Sequence, residues 1–179
     1  MTEKPTLYLM VGLPGSGKTT RAKELEQETR AVRFTPDEWH IFLFGDDFGD
    51  NSPAARALHD RRHDRVEQLM WTVGQDLLRK GVSVILDFGF WVEEQREEKR
   101  REAQALGANF AIEYLDTPLP ELKRRVAQRN QANPGDVFAT ITDADLEEWH
   151  ALFQPPTPEE FTSQVAQSAT YSAKNRLGV

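Results

Sequence analysis

The chain has 179 residues, enough for one domain with a sizeable core, and no cysteine, which excludes disulfides and thiolate metal sites. Its net charge of −7 argues against an extended nucleic-acid surface, which needs a basic footprint, but leaves room for a local basic groove. No run approaches the ~18 apolar residues that cross a membrane, and the first residues carry no signal-peptide pattern, so a soluble, cytoplasmic protein is expected.

Thr6 to Val11 reads as a short buried strand. Residues 12–19 follow it as Gly-Leu-Pro-Gly-Ser-Gly-Lys-Thr, a complete phosphate-binding loop of the form G-x-x-x-x-G-K-[ST]. A helix over Lys18 to Glu28, free of proline and glycine, supplies the third part of the strand–loop–helix order that this motif needs. Gly12, Gly15 and Gly17 let the backbone fold tightly, so successive N–H groups converge on a phosphate. Lys18 is placed to neutralise the β- and γ-phosphates, and the Thr19 hydroxyl to ligate Mg²⁺. The expected ATP-binding segment is Gly12, Leu13, Pro14, Gly15, Ser16, Gly17, Lys18, Thr19 and Thr20. The glycine order is not the G-x-G-x-x-G of dinucleotide-binding oxidoreductases.

A short strand is expected at Ala31 to Phe34, then a helix from Pro36 to about Phe44 with Thr35 as N-cap. Residues 45–52 form an acidic loop with Asp46, Asp47 and Asp50, read as solvated surface unless it borders the site. Pro53 to Lys80 reads as a long helix closed by Gly81, with Val66, Leu69, Met70, Val73 and Leu77 as its core stripe. Its polar first half carries His59 and His63 at i and i+4. That spacing can bind zinc, but Asp60 stands where a glutamate is wanted and arginines crowd the pair, so a solvated face is the expectation.

Val82 to Leu86 is a second buried strand, ending in Asp87. Helices are expected at Glu93 to Leu106, Pro118 to Asn130 and Thr142 to Phe153, with a strand at Asn109 to Leu115. Thr142 and Asp145 stand at capping-box positions. Strands alternating with helices imply an α/β fold, a parallel sheet with helices on both faces. One domain over residues 1–163 is expected, with a small lid at about 131–141 and a docked or partly disordered tail at 164–179.

The loop, Thr35-Pro36-Asp37-Glu38-Trp39, Leu86-Asp87-Phe88-Gly89-Phe90-Trp91, the Arg125/Arg129 pair and Phe153-Gln154-Pro155-Pro156 together carry a resemblance. The chain resembles the P-loop kinase-type ATP-binding proteins that include polynucleotide 5′-kinases, zeta-toxin-like sugar-nucleotide kinases and chloramphenicol phosphotransferases. The resemblance implies a P-loop NTPase, nucleotide-kinase-like sheet of order 2-3-1-4 or 2-3-1-4-5, although no fifth strand is evident in the sequence.

On its residues alone, Asp37 reads equally as a carboxylate at the sheet's carboxyl edge and as an acid favoured in a first helical turn. The resemblance makes it the general base that takes the proton of an acceptor hydroxyl. Asp87 is the candidate second Mg²⁺ group, directly or through water, with a strand-end turn residue as the alternative. Arg125 and Arg129 share a helix face and are placed to clamp the transferring phosphoryl group, against a plain basic stripe with Lys123 and Arg124. Arg96 is a weaker candidate. Phe88, Phe90 and Trp91 either wall an acceptor pocket or belong to the core. The polynucleotide kinases that the chain resembles keep an arginine where this sequence has His40, and this departure favours a small-molecule hydroxyl acceptor over nucleic acid. A polynucleotide 5′-kinase is the alternative, and a slowly hydrolysing ATP switch the second.

Overall fold

The structure, a computed structural model, describes residues 4–45, 47, 52–132 and 141–161. Strand β1 (Thr6–Val11) organises it, because its two faces feed two cores. Leu7, Leu9 and Val11 point into one core and Met10 into the other, as the two-residue period of a strand requires. β1 lies between β3 (Val84–Gly89) and β4 (Asn109–Tyr114), and β2 (Val32–Phe34) pairs with the far side of β3. The four strands are all parallel in the order β2-β3-β1-β4.

Helix α1 (Lys18–Thr29) covers the face of Met10 and Ile85 with Ala22 and Leu25. The opposite face is covered by α3 (Pro53–Arg79) and α4 (Glu93–Ala105), where Val66, Met70, Trp71, Leu78 and Ala103 meet Leu7, Leu9, Val84 and Phe110. Each buried Val, Leu, Met or Phe among these contributes about 1.5–3 kcal/mol relative to exposure. A third cluster lies at the phosphate loop, where Leu13 packs on Leu122 and Val126 of α5 (Leu119–Ala132) and Leu146 of α6 (Asp143–Leu152). Helix α2 (Pro36–Phe44) packs against α3.

Three local expectations change. The buried stripe of α3 is Val66, Met70, Trp71, Gly74 and Leu78, while Leu69 and Val73 are exposed and Leu77 is partly buried. The apolar residues offered two overlapping faces, and the angle at which α3 crosses β3 selected one. Gly74 belongs to the chosen face and lies against Trp71, Val84 and Phe34. Second, β3 continues through Asp87 to Gly89, since its pairing with β1 resumes beyond an irregularity at Val11 and Gly89. Asp87 is therefore a buried residue within a strand and does not terminate it. Third, Thr35 is the N-cap of α2 by position, but its side chain makes no cap hydrogen bond and turns to the site instead.

The capping box of α6 is present as expected, with Thr142 and Asp145 bonded reciprocally. Ser52 caps α3, its hydroxyl accepting from the Ala55 amide. Of the expected lid, Gln131 and Ala132 form the end of α5 and Ile141 precedes α6, while residues 133–140 lie outside the described residues, as does the tail 164–179. Among the described residues, no helix is long and apolar enough to cross a membrane.

Candidate functional site

The loop between β1 and α1 folds as its glycines require. Gly12 has φ 152°, and a Cβ there would stand 2.8 Å from Ser16 Oγ. Gly15 has φ 83° and lies so close to α5 that a Cβ would meet Val126 Cγ2 at 3.0 Å. Both positions are closed to L side chains by conformation and by space. The Trp91 indole N–H donates to the Gly12 carbonyl at 3.2 Å and ties the loop to the end of β3.

Lys18 reaches back over the loop, donating to the Leu13 carbonyl at 3.0 Å. Burial lowers its pKa, with the carboxylates of Asp87 and Asp37 acting in the opposite sense and Arg129 adding to the lowering. The Thr19 hydroxyl donates to Asp87 Oδ2 at 2.7 Å, and the Thr35 hydroxyl to the same oxygen at 3.3 Å. Burial pushes the Asp87 carboxyl up against the pull of Thr19, Lys18 and Thr35. Asp87 Oδ1 is buried without a hydrogen-bond partner. A hydroxyl beside a carboxylate with an unused, desolvated oxygen is a hard oxygen donor set, and it suits Mg²⁺ bound directly or through water.

Asp37 stands in the first turn of α2, more than half exposed, and His63 Nε2 lies 3.2 Å from its Oδ1. A carboxylate offers only acceptors, so the imidazole is the donor. His59 and His63 therefore do not form the solvated face that their helix suggested. The acidic loop is corrected in the same way at Asp47, whose side chain is only 6% exposed. His40 Nε2 and His59 Nδ1 both reach its Oδ1, at 2.9 and 2.7 Å, and Arg62 donates to Oδ2 at 3.0 Å. Burial alone would raise the Asp47 carboxyl, but these partners outweigh it and hold the group well below the usual carboxylate range. The result is a knot that fastens the end of α2 to the start of α3. Asp46 and Asp50 lie outside the described residues.

Arg125 leaves the outer face of α5 to donate to the carbonyls of Gly15 and Ser16, at 3.4 and 3.3 Å, and to Glu121 at 2.7 Å. Arg129 lies one turn on and lines the same cleft. Their charged neighbours are occupied elsewhere, Arg124 with Glu121 and Lys123 with Glu147. Arg96 is corrected from a candidate phosphate contact to a structural residue. It is 1% exposed, donates to both carboxylate oxygens of Glu160 at 2.7 and 3.0 Å, and to the Phe90 carbonyl at 3.1 Å. Of the three aromatics, Phe90 joins the core, while Phe88 and Trp91 border the cleft.

One cleft of about 910 Å³ is lined by Lys18, Thr19, Thr20, Asp37, Asp87, Arg125 and Arg129 among others. Its lining comes from the phosphate loop and the α5 arginines, and from α2 and the first turns of α3. Sequence reasoning missed Thr35, which bonds Asp87, and His63, which bonds Asp37 and lines the cleft. The signal available was the pair of histidines at helical spacing, facing a helix with an aspartate in its first turn.

A model of the AAA_33 family, described as an AAA domain, matches residues 7–156. The chain belongs to this family. A protein from Aeropyrum pernix named "Probable adenylyl-sulfate kinase" is 26% identical over 162 residues, 88% of this chain and 80% of that protein. Among solved structures, a chain of the Pnkp1/Rnl/Hen1 RNA repair complex superposes with a TM-score of 0.64 at 24% identity over 85% of this chain, which spans 45% of that one. A gluconokinase from Sinorhizobium meliloti 1021 superposes with a TM-score of 0.59 at 15% identity, over 87% of this chain and 79% of that one. Family and fold are those of the P-loop kinase-type proteins, and the relative named as a kinase supports a phosphotransferase.

Proposed function

We propose that this phosphotransferase moves the γ-phosphate of ATP to a hydroxyl of a small molecule (a sugar, a nucleoside or an antibiotic-like compound), with Asp37 as general base. The observation that carries the reading is the shared cleft, whose lining includes the glycine-rich loop, Lys18 and Asp37. Loop amides and Lys18 hold the β- and γ-phosphates. Bound Mg²⁺, held by Thr19 and by Asp87 directly or through water, would neutralise charge between those phosphates. The acceptor oxygen bonds to the γ-phosphorus as its proton passes to Asp37. The bond from phosphorus to the β–γ bridging oxygen breaks, and its electron pair leaves with ADP. Charge on the equatorial oxygens is met by Arg125 and Arg129, preorganised donors of the kind that stabilise a phosphoryl transition state.

A 5′-hydroxyl polynucleotide is the runner-up acceptor, in view of the superposition on an RNA repair protein. Two features weigh against it. His40 is 2% exposed and tied to Asp47, so it offers no cation to a nucleic-acid phosphate. Asp60 and Asp64 line the acceptor end of the cleft, with Arg56 as a basic group there. An ATP switch is the third reading, and it leaves an aspartate at the mouth of the cleft without a role.

The experiment is a panel of acceptors with labelled ATP and Mg²⁺, including adenylyl sulfate, gluconate, nucleosides, UDP-sugars, antibiotics and 5′-hydroxyl oligonucleotides, at equal concentration in ~0.15 M salt. A small hydroxyl compound is expected to be the best acceptor. Asp37→Asn is expected to keep ATP affinity and lose ~10²–10⁴ in transfer rate. Efficient, steeply salt-sensitive phosphorylation of oligonucleotides with no small-molecule activity promotes the runner-up. Loss of nucleotide binding in Asp37→Asn, with turnover per bound ATP intact, makes Asp37 a nucleotide ligand.

A further inference from the structure

Beside Asp37 lies a group of side chains that the transfer step as written does not use. His63 extends from the third turn of α3, with Nε2 at 3.2 Å from Asp37 Oδ1 and Nδ1 at 3.7 Å from Glu67 Oε1. The first distance is a hydrogen bond, and the second is a charge contact too long to be one. His63 and Glu67 are i and i+4 on one helix, so both stand on the side of α3 that faces α2. The order across the helix pair is carboxylate, imidazole, carboxylate, with the outer end at Asp37 and the inner end at a mostly buried Glu67.

We propose that His63 is a positioning residue for the base: its Nε2–H holds Asp37 Oδ1, which leaves Oδ2 for the acceptor hydroxyl, and Glu67 keeps the imidazole turned that way. This rests on the reading of Asp37 as the base.

The physical need is specific. Asp37 is more than half exposed, and an aspartate at a helix start has freedom about both side-chain torsions. Phosphoryl transfer depends chiefly on positioning, so a base that wanders loses rate. Among the described residues no backbone group fixes this carboxylate, and the imidazole is the side chain that reaches it. The imidazole itself is boxed in. The rings of His40 and His59 lie 5.9 Å from it, centroid to centroid, and Asp47 clamps both. The Asp47 knot thus serves the site indirectly, by fixing the wall against which His63 packs.

The groups facing His63 are Asp37 and His40 from α2, and His59, Asp64 and Glu67 from its own helix. Burial would lower its pKa, but the bond to Asp37 and the charges of Glu67 and Asp64 outweigh this and raise it above the ordinary histidine value. A protonated imidazole presents one N–H to each carboxylate. Once that proton is lost, Asp37 and Glu67 compete for the one that remains, and the hold on Asp37 weakens. Loss of orientation on the alkaline side is the signature of this arrangement.

The test uses the full chain, ATP·Mg²⁺ and the fastest acceptor among adenylyl sulfate, gluconate and a 5′-hydroxyl oligonucleotide. His63→Ala is expected to lower kcat about tenfold or more, within the ~10²-fold that a misplacement of about 1 Å costs. ATP affinity is expected to stay unchanged. His63→Gln, whose amide N–H can reach Asp37, is expected to recover part of the rate and to lose the alkaline decline. In the double variant with Asp37→Asn, His63→Ala is expected to add no further loss, because it acts only through Asp37. An NMR titration of the His63 imidazole gives a readout free of turnover: its pKa should fall in Asp37→Asn. Transfer at full rate in Asp37→Asn would overturn the base and this inference with it. If Asp37→Asn abolishes transfer while His63→Ala changes neither kcat nor its pH profile, the base stands and the positioning role falls. Full additivity of the two substitutions, or an imidazole pKa indifferent to Asp37→Asn, would overturn it equally.

Discussion

Glu160→Gln should unfold this domain far more easily than the loss of an exposed carboxylate would. Arg96 is 1% exposed, and Glu160 accepts two of its N–H groups at 2.7 and 3.0 Å. Burial alone would raise the Glu160 carboxyl, but Arg96 outweighs it and holds the group below its ordinary value, as expected for a working ion pair. The substitution leaves a guanidinium charge desolvated, with the Phe90 carbonyl and a neutral amide as partners. Breaking a buried pair from one side costs about 3–5 kcal/mol, and the low end applies because Glu160 keeps some solvent contact and the amide still accepts one bond. At a urea m-value of about 2 kcal/mol/M, a loss of about 3 kcal/mol lowers the unfolding midpoint by about 1.5 M. Tryptophan fluorescence reads it directly, since Trp71 is buried in the core and the Trp91 indole is bonded to the Gly12 carbonyl. The joint replacement Arg96→Met with Glu160→Leu should recover most of the loss, because no charge is then buried. A Glu160→Gln midpoint within about 0.3 M of the parent would refute the reasoning, since at the same m-value that is roughly 0.6 kcal/mol. An unchanged midpoint together with lost transfer in Arg96→Met would return Arg96 to the list of phosphate contacts.

Lys18→Ala should abolish transfer while leaving the fold intact, because the γ-phosphate loses its main point charge; full-rate transfer by the folded variant would sink the nucleotide site. Arg125→Ala and Arg129→Ala should each lower kcat more than they raise the Kd of a non-hydrolysable ATP analogue, since charge on the equatorial oxygens develops in the transition state, and unaltered turnover in both would make them surface residues. Burial pushes the Glu67 carboxyl from 4.5 up to about 7, against the opposing charge of His63. A raised folded pKa means that the native state holds a proton the unfolded chain has lost, so stability falls as pH rises between those two values and is level above them. Glu67→Gln should therefore match the parent in Tm near pH 4 and exceed it from about pH 7 upward. Parallel Tm curves for the two proteins across that range would contradict this.

The parts of this protein legible in its sequence are those whose contacts are local. The phosphate loop closes on itself within a few residues, so its glycines, lysine and threonine declare strand, turn and helix wherever they occur. The alternation of apolar runs with charged helices likewise fixed a parallel α/β layering, and the capping box at Thr142 and Asp145 was readable because both halves lie within one turn. The strand order β2-β3-β1-β4 came through family resemblance and not through any period in the residues.

Tertiary structure alone decided the rest. Helix α3 had apolar residues for two faces, and only its crossing over the sheet buried Val66, Met70 and Leu78 while leaving Leu69 and Val73 outside. Arg96 and Glu160 are 64 residues apart, and a charged helix gives no sign of which cation will be swallowed. His63 finds Asp37 across 26 positions, and Asp47 finds His59 across 12, because α2 and α3 pack with these turns opposed. A helical period tells which residues share a face. It does not tell what that face meets, since that depends on the angle and register of two packed elements. The chemistry of the acceptor end is written in those meetings, and so it became visible only when the chain was folded.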